Sequence, residues 1–224
     1  MGYDTVMAVP SAGVVLDADV TVPPHARGLV LFAHGSGSSR LSPRNRMVAE
    51  RLGGVGLATV LTDLLTADEE RRDAATGYLR FDIGLLADRL TGVIDWTAGQ
   101  PALHRLPLGL FGASTGAAAA LLATVARPQR VRAVVSRGGR PDLAGDRLAE
   151  VSAPVLLIVG GADRHVLELN ETAARTLRRS SLWIVADATH LFEEPGALEE
   201  VAGAAAQWFD RHLAGVDLDL DDYA

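Results

Sequence analysis

Cysteine and lysine are both missing from the 224 residues. Without cysteine there is no disulfide, no thiolate metal site and no cysteine nucleophile. Without lysine there is no Schiff-base chemistry, no phosphate-loop lysine and no serine–lysine dyad. All 21 basic residues are therefore arginines, and the formal net charge is −7. That balance argues against a broad basic face for nucleic acid. No apolar run is long enough to span a bilayer, so no membrane partner is expected. The opening MGYDTVMAVP carries Asp4 and no basic residue ahead of its apolar stretch. It does not read as a secretory signal, and a cytoplasmic location is expected.

What is present reads as an ordinary globular chain, 48% hydrophobic and 22% charged. No internal repeat or long linker divides it, which predicts one domain over residues 1–214. The acidic residues 215–224 are expected to fray. Either a monomer or a homodimer is compatible with this composition.

Short apolar runs alternate with amphipathic stretches. Val6 to Val22 predicts an N-terminal hairpin around Ser11-Ala12-Gly13. Gly28–Ala33 and Leu57–Leu61 read as buried strands, separated by a helix that Ser42 caps and Pro43 opens. Thr62 to Tyr78 is polar and reads as irregular. Leu79, Ile83, Leu86, Leu90 and Val93 share one helical face. Further strands are expected at Leu108–Phe111, Val131–Val135, Val155–Val159 and Leu182–Val185. Helices are expected over Ala117–Val125, over Glu168–Leu177 and after Glu194-Pro195. This order predicts an α/β three-layer sandwich with a mostly parallel sheet, whose reactive groups collect at the carboxyl ends of the strands.

One such end carries Gly112-Ala113-Ser114-Thr115-Gly116, between a strand and a helix. In that setting G-x-S-x-G is a nucleophile elbow, and Ser114 is the expected nucleophile. A serine hydroxyl needs a base, and with lysine absent the base is one of six histidines. His25 and His104 precede strands, at the wrong edge of the sheet, and His212 lies on the last helix. His190 follows the last strand at the carboxyl edge and is the expected base. Asp163, directly after VLLIVGGA, is the expected orienting acid, with Asp142 in reserve. His165 beside it reads as a rim residue, although a role swapped with His190 stays open. The order Ser114, Asp163, His190 is the order such folds use.

Acyl transfer also needs two N–H donors for the oxyanion. The expected pair is the Thr115 amide and the Ser36 amide in His34-Gly35-Ser36-Gly37-Ser38-Ser39. His34 would tie that loop down. A phosphate-cradling loop is the rival, but it lacks the lysine and the G-x-G-x-x-G spacing. Arg40, Arg137 and Arg140 follow strand ends and are candidate contacts for an anionic substrate group, against the plainer reading of surface arginines. Leu191 and Phe192 are candidate acyl-pocket residues.

Five stretches carry a wider resemblance: LVLFAHGSGSSRLSPRN, LGLFGASTGAAAA, RAVVSRGGRPDLAG, LLIVGGADRHV and ATHLFEEPGALEEVA. Over nearly its full length the chain resembles the α/β-hydrolase superfamily, and within it the dienelactone hydrolase-like family. The resemblance implies a hydrolase of carboxylic esters or lactones that needs neither metal nor organic cofactor. Dienelactone hydrolases proper use a cysteine where this chain has Ser114, which implies a general carboxylesterase. A thioesterase or acyltransferase would use the same triad. Similar domains also occur fused to phosphoribosyltransferase domains, and none is read in these residues. The short connection from Ser136 to Pro154 implies an open cleft without a large cap.

Overall fold

A computed structural model describes residues 2–213. The expected tail at 215–224 lies outside the described residues. Eight strands form one sheet: β1 (Tyr3–Ser11), β2 (Val14–Val22), β3 (Gly28–Ala33), β4 (Leu57–Thr62), β5 (Leu108–Ala113), β6 (Val131–Arg137), β7 (Val155–Gly160) and β8 (Ser180–Val185). Their spatial order is β1-β2-β4-β3-β5-β6-β7-β8. The first two strands pair antiparallel, as does β2 with β4, and the rest of the sheet is parallel. This is the expected three-layer α/β architecture.

Among the described residues the α-helices are α1 (Pro43–Gly54), α2 (Ala67–Asp73), α3 (Ile83–Thr97), α4 (Thr115–Ala126), α5 (Arg164–Thr176) and α6 (Ala197–Leu213). Alternation along the central strands sends side chains to two cores. Leu29, Leu31 and Leu110 pack under α3 and α4 with Leu90, Ile94 and Ala120. Val30, Phe32 and Phe111 pack under α1 and α6 with Leu52, Val201 and Phe209. The Phe32 and Phe111 rings lie 4.9 Å apart on that face, a tilted pair that anchors the two strands bearing the site loops. No helix among the described residues is long and apolar enough to cross a membrane.

Local chemistry places most boundaries where the sequence puts them. Ser42 caps α1 by accepting from the Asn45 amide, with Pro43 at its first position. The amphipathic stretch after Tyr78 starts later than its periodicity suggests. Asp82 caps α3 through the Leu85 amide, and Leu79–Phe81 is a short 3-10 turn instead.

The irregular reading of residues 62–78 is corrected by α2. Its signature is a capping box: Thr66 Oγ1 accepts from the Glu69 amide, and Glu69 Oε2 accepts from the Thr66 amide. The helix is short and polar all round, so hydrophobic periodicity is silent there. Glu69 also pairs with the buried Arg89 of α3 at 2.8 Å, which fastens α2 to the body of the protein. Burial pushes the Glu69 carboxyl up, but the Thr66 and Arg89 hydrogen bonds outweigh it and hold the group below the usual range.

Candidate active site

Ser114 sits between β5 and α4 at φ 50° and ψ −121°, a strained conformation for a residue with a Cβ. The tightness of the turn imposes it. A Cβ at Gly112 would overlap the Ala117 backbone, and one at Gly116 would overlap the Ala33 and His34 carbonyl oxygens. The turn after β6 braces the elbow. The Ser114 amide donates to the Arg137 carbonyl at 3.2 Å, and the Arg140 amide donates to the Ser114 carbonyl at 3.1 Å. Ser114 holds the N-cap position of α4, yet its hydroxyl caps nothing. It stays free at the positive end of the helix dipole.

His190 Nδ1 donates to Asp163 Oδ2 at 2.7 Å. Asp163 is the N-cap residue of α5, but its carboxylate makes no cap bond and turns to the imidazole instead. The pairing fixes the tautomer, leaving Nε2 as an acceptor. Ser114 and His190 flank the same turn: a Cβ on Gly138 would lie 3.5 Å from His190 Cε1, and Gly138 follows the carbonyl that holds the Ser114 amide. Among the described residues no hydrogen bond joins the Ser114 hydroxyl to His190. Catalytic contacts of this kind commonly tighten only around substrate.

Two hydrogen bonds bring the His190 loop to Asp163. The Gly161 amide donates to the Val185 carbonyl at 2.8 Å, and the Ala162 amide to the Ala188 carbonyl at 3.0 Å. Glu194 closes the loop from below, accepting from the Thr189 hydroxyl at 2.6 Å and its amide at 3.0 Å. The Thr189 hydroxyl and nearby amides hold the Glu194 carboxyl below the usual range. Gly160 makes the approach possible, since a Cβ there would overlap the Ala188 carbonyl oxygen. Gly160→Ala is therefore expected to displace His190 from Asp163 and lower kcat by about 10- to 100-fold. Steady-state ester hydrolysis checks this, and an unchanged kcat would show that the loop adapts.

The His-Gly loop crosses directly over Ser114; a Cβ at Gly35 would lie 3.0 Å from Ser114 Cβ. His34 is buried and ties the loop down, as its position suggests. Its Nδ1 donates to the Gly35 carbonyl at 2.9 Å, and its Nε2 accepts the Leu64 amide at 3.1 Å. The Ser36 amide donates to Thr115 Oγ1 at 2.9 Å.

Most of the expected substrate contacts have protein partners or lie buried in the structure. Arg40 is committed to carboxylates, with Nη1 on Asp63 at 2.6 Å and Nε on Asp19 at 3.1 Å. Burial lowers its pKa, but those two partners outweigh the effect and raise it. Arg140 makes a bidentate pair with Asp142, at 2.9 and 2.7 Å, which also occupies the reserve acid. Arg137 is 8% exposed and Phe192 is 1% exposed. The Arg137 guanidinium lies 5.9 Å from the Phe192 ring centroid, and no carboxylate pairs with it among the described residues. Burial and then the nearby Arg44 charge lower its pKa to about 10. Phe192, at φ 56°, turns its ring into the core. Leu191, 40% exposed, remains at the surface.

A cavity of about 320 Å³ opens beside the His-Gly loop, lined by Ser36, Ser38, Leu65, Glu70, Arg80 and Leu86 among others. Sequence reasoning does not single out Arg80 or the residue that holds it. The buried Asp73 carboxylate accepts from Arg80 Nε at 2.5 Å and from the Leu79 amide at 2.6 Å. Burial raises the Asp73 pKa, but Arg80 and the two backbone amides outweigh it and hold the carboxyl low. The stability contributed by this group is thus complete above the unfolded carboxylate pKa. It is lost as pH falls through the lower folded value. Between pH 7 and pH 3 the urea midpoint of the wild type should fall further than that of Asp73→Asn. Equal falls would remove Asp73 from the acid response.

Asn170 of α5 is a second unforeseen residue. Buried, it donates to the Gly139 carbonyl at 2.9 Å and so steadies the turn between Ser114 and His190. No sequence signal marks it, because an asparagine inside a helix usually faces solvent.

A crystal structure of dienelactone hydrolase from Anabaena variabilis superposes with a TM-score of 0.93 and 54% identity, over 95% of this chain and 99% of that one. The chain belongs to the dienelactone hydrolase family. Members of that family are hydrolases on the α/β-hydrolase fold, and the sheet order described above is the fold of this chain too. More distant structures share the fold. An esterase from Pyrococcus furiosus matches at 15% identity and a TM-score of 0.74, over 95% of this chain and 92% of that one. The esterase domain of a Rhodothermus marinus protein matches at 18% and 0.75, over 94% and 99%. Two Mycobacterium tuberculosis proteins named as candidate phosphoribosyl transferases are 58% identical over 208 residues, 92% of this chain. The chain spans 45% of the length of those relatives. No family model matches the sequence.

Proposed function

We propose that this dienelactone hydrolase relative is a serine hydrolase of carboxylic esters or lactones, acting through Ser114, His190 and Asp163. The observation that carries the reading is the 2.7 Å bond from His190 to Asp163, set across the β6 turn from a serine in a strained elbow. Neutral His190 takes the Ser114 proton on Nε2 as Oγ attacks the carbonyl carbon, and the carbonyl π pair becomes an oxyanion. Asp163 stabilises the imidazolium. The C–O bond to the leaving group then breaks, and His190 gives the proton to the departing alkoxide. Water repeats the sequence on the acyl-enzyme, its proton passing through His190 and back to Ser114. A lactone opens by the same steps, with its alkoxide still tethered to the acyl group.

A fluorophosphonate probe is expected to label the protein once, on the peptide carrying Ser114. Labelling absent, or retained in Ser114→Ala, would overturn the reading and leave a ligand-binding protein on a hydrolase fold. Parallel panels of short-chain esters, lactones and thioesters separate an esterase from a thioesterase. The transferase name of the Mycobacterium tuberculosis relatives belongs to proteins more than twice as long as the matched stretch. Pyrophosphate release from phosphoribosyl pyrophosphate by this chain is accordingly expected to be absent.

A further inference from the structure

The Ser36 amide carries one hydrogen, and it is already directed at Thr115 Oγ1, 2.9 Å away. That amide is the expected second donor of the oxyanion hole, so its commitment changes which groups can serve. Thr115 is 3% exposed and stands at the first position of α4, directly after the nucleophile. Its own N–H has no helical partner there, because first-turn amides have no carbonyl four residues back within the helix. Its hydroxyl oxygen accepts from Ser36 and keeps one hydrogen to donate.

Other helical threonines in this protein spend that hydrogen on the preceding turn. Thr91 donates to the Ala87 carbonyl at 2.7 Å, Thr124 to Ala120 at 2.8 Å, and Thr172 to Glu168 at 3.0 Å. Thr115 makes no such bond among the described residues, because the residue four back, Phe111, is still in β5. A buried hydroxyl beside the reacting serine thus has an unassigned donor.

We propose that the Thr115 hydroxyl is the second oxyanion donor, so that the N–H and O–H of this one residue form the hole. The inference rests on the serine-hydrolase reading above. Ser36 then acts through Thr115: its N–H polarises Oγ1, which strengthens the O–H bond to the developing negative charge. No covalent bond at Thr115 breaks; the hydrogen bond forms as the carbonyl π pair becomes the oxyanion. Thr115 is in this sense a catalytic residue, and Ser36 a positioning residue.

Thr115→Val keeps the shape and removes the hydroxyl. It is expected to lower kcat by about 100-fold with little change in KM, the usual effect of losing one oxyanion donor. A trifluoromethyl ketone, which forms a tetrahedral adduct with a serine nucleophile, should lose affinity by a similar factor. Thr115→Ser, which restores the hydroxyl, should return both values to within about threefold of wild type, reflecting one retained donor. If Thr115→Val keeps kcat and ketone affinity, or improves them, the freed Ser36 amide is the donor and the proposal fails. A thermal melt checks that each variant folds, and Thr115→Ala replaces the valine variant if that one does not. Fluorophosphonate labelling of the wild type separates the two claims. Without it the serine-hydrolase reading itself falls; with it, an active Thr115→Val overturns only the assignment of Thr115.

Discussion

Ser114→Ala is expected to lower kcat for a short-chain p-nitrophenyl ester by about 10⁶-fold, the scale seen when a serine nucleophile is deleted. In the proposed mechanism the hydroxyl is the attacking group, and no stronger nucleophile is available to replace it. Cysteine and lysine are absent, and the imidazole of His190 is held by Asp163. The substitution should leave the fold intact. Ser114 caps nothing through its side chain, and alanine meets the same backbone strain that serine does. A residual rate about 10³- to 10⁴-fold above water would persist from the oxyanion donors and substrate binding. Steady-state kinetics beside a thermal melt decide the matter. A folded variant retaining more than about a hundredth of wild-type turnover contradicts a role whose loss should cost about a millionfold.

Asp163→Asn is expected to cost about 10⁴-fold in kcat, equivalent to about 5 kcal/mol of transition-state stabilisation. The carboxylate only accepts, so it holds His190 with the proton on Nδ1 and the lone pair on Nε2. An amide at this position can donate to Nδ1, which forces the proton onto Nε2 and removes the base from Ser114. The shape is conserved, and no helix cap is lost, because Asp163 does not cap α5 through its side chain. Stability should therefore change little while kcat collapses. A fall of less than tenfold would mean that His190 is oriented by another group. Asp142 is poorly placed for that, since both its oxygens are engaged by Arg140.

Most of the fold is legible in the sequence because it depends on local rules. Gly28–Ala33 reads as a buried strand and is β3, since a short, fully apolar run of six suits a strand covered on both faces. Ser42-Pro43 reads as a helix start and is one, because capping is decided within four residues. By contrast α2 carries no apolar stripe, so only its capping box betrays it. The expected triad members also come from local placement: each stands where a strand ends. The resemblance carried by five stretches agrees with the family found by comparison.

The sequence by itself determined the layer order, the absence of any cysteine or lysine nucleophile, and which serine, acid and histidine stand at strand ends. Only the tertiary structure decided what those groups touch. Arg40 and Arg137 look alike as arginines after strands, yet Asp19 and Asp63 engage one while Phe192 covers the other. Leu191 and Phe192 are adjacent, yet a left-handed turn sends the second into the core. The Ser36 amide is engaged by the Thr115 hydroxyl oxygen, far away in sequence but within hydrogen-bond reach. The physical reason is common to all three. Strand and helix propensity act over a few neighbouring residues, whereas pairing, burial and donor direction depend on chain segments that meet only after folding.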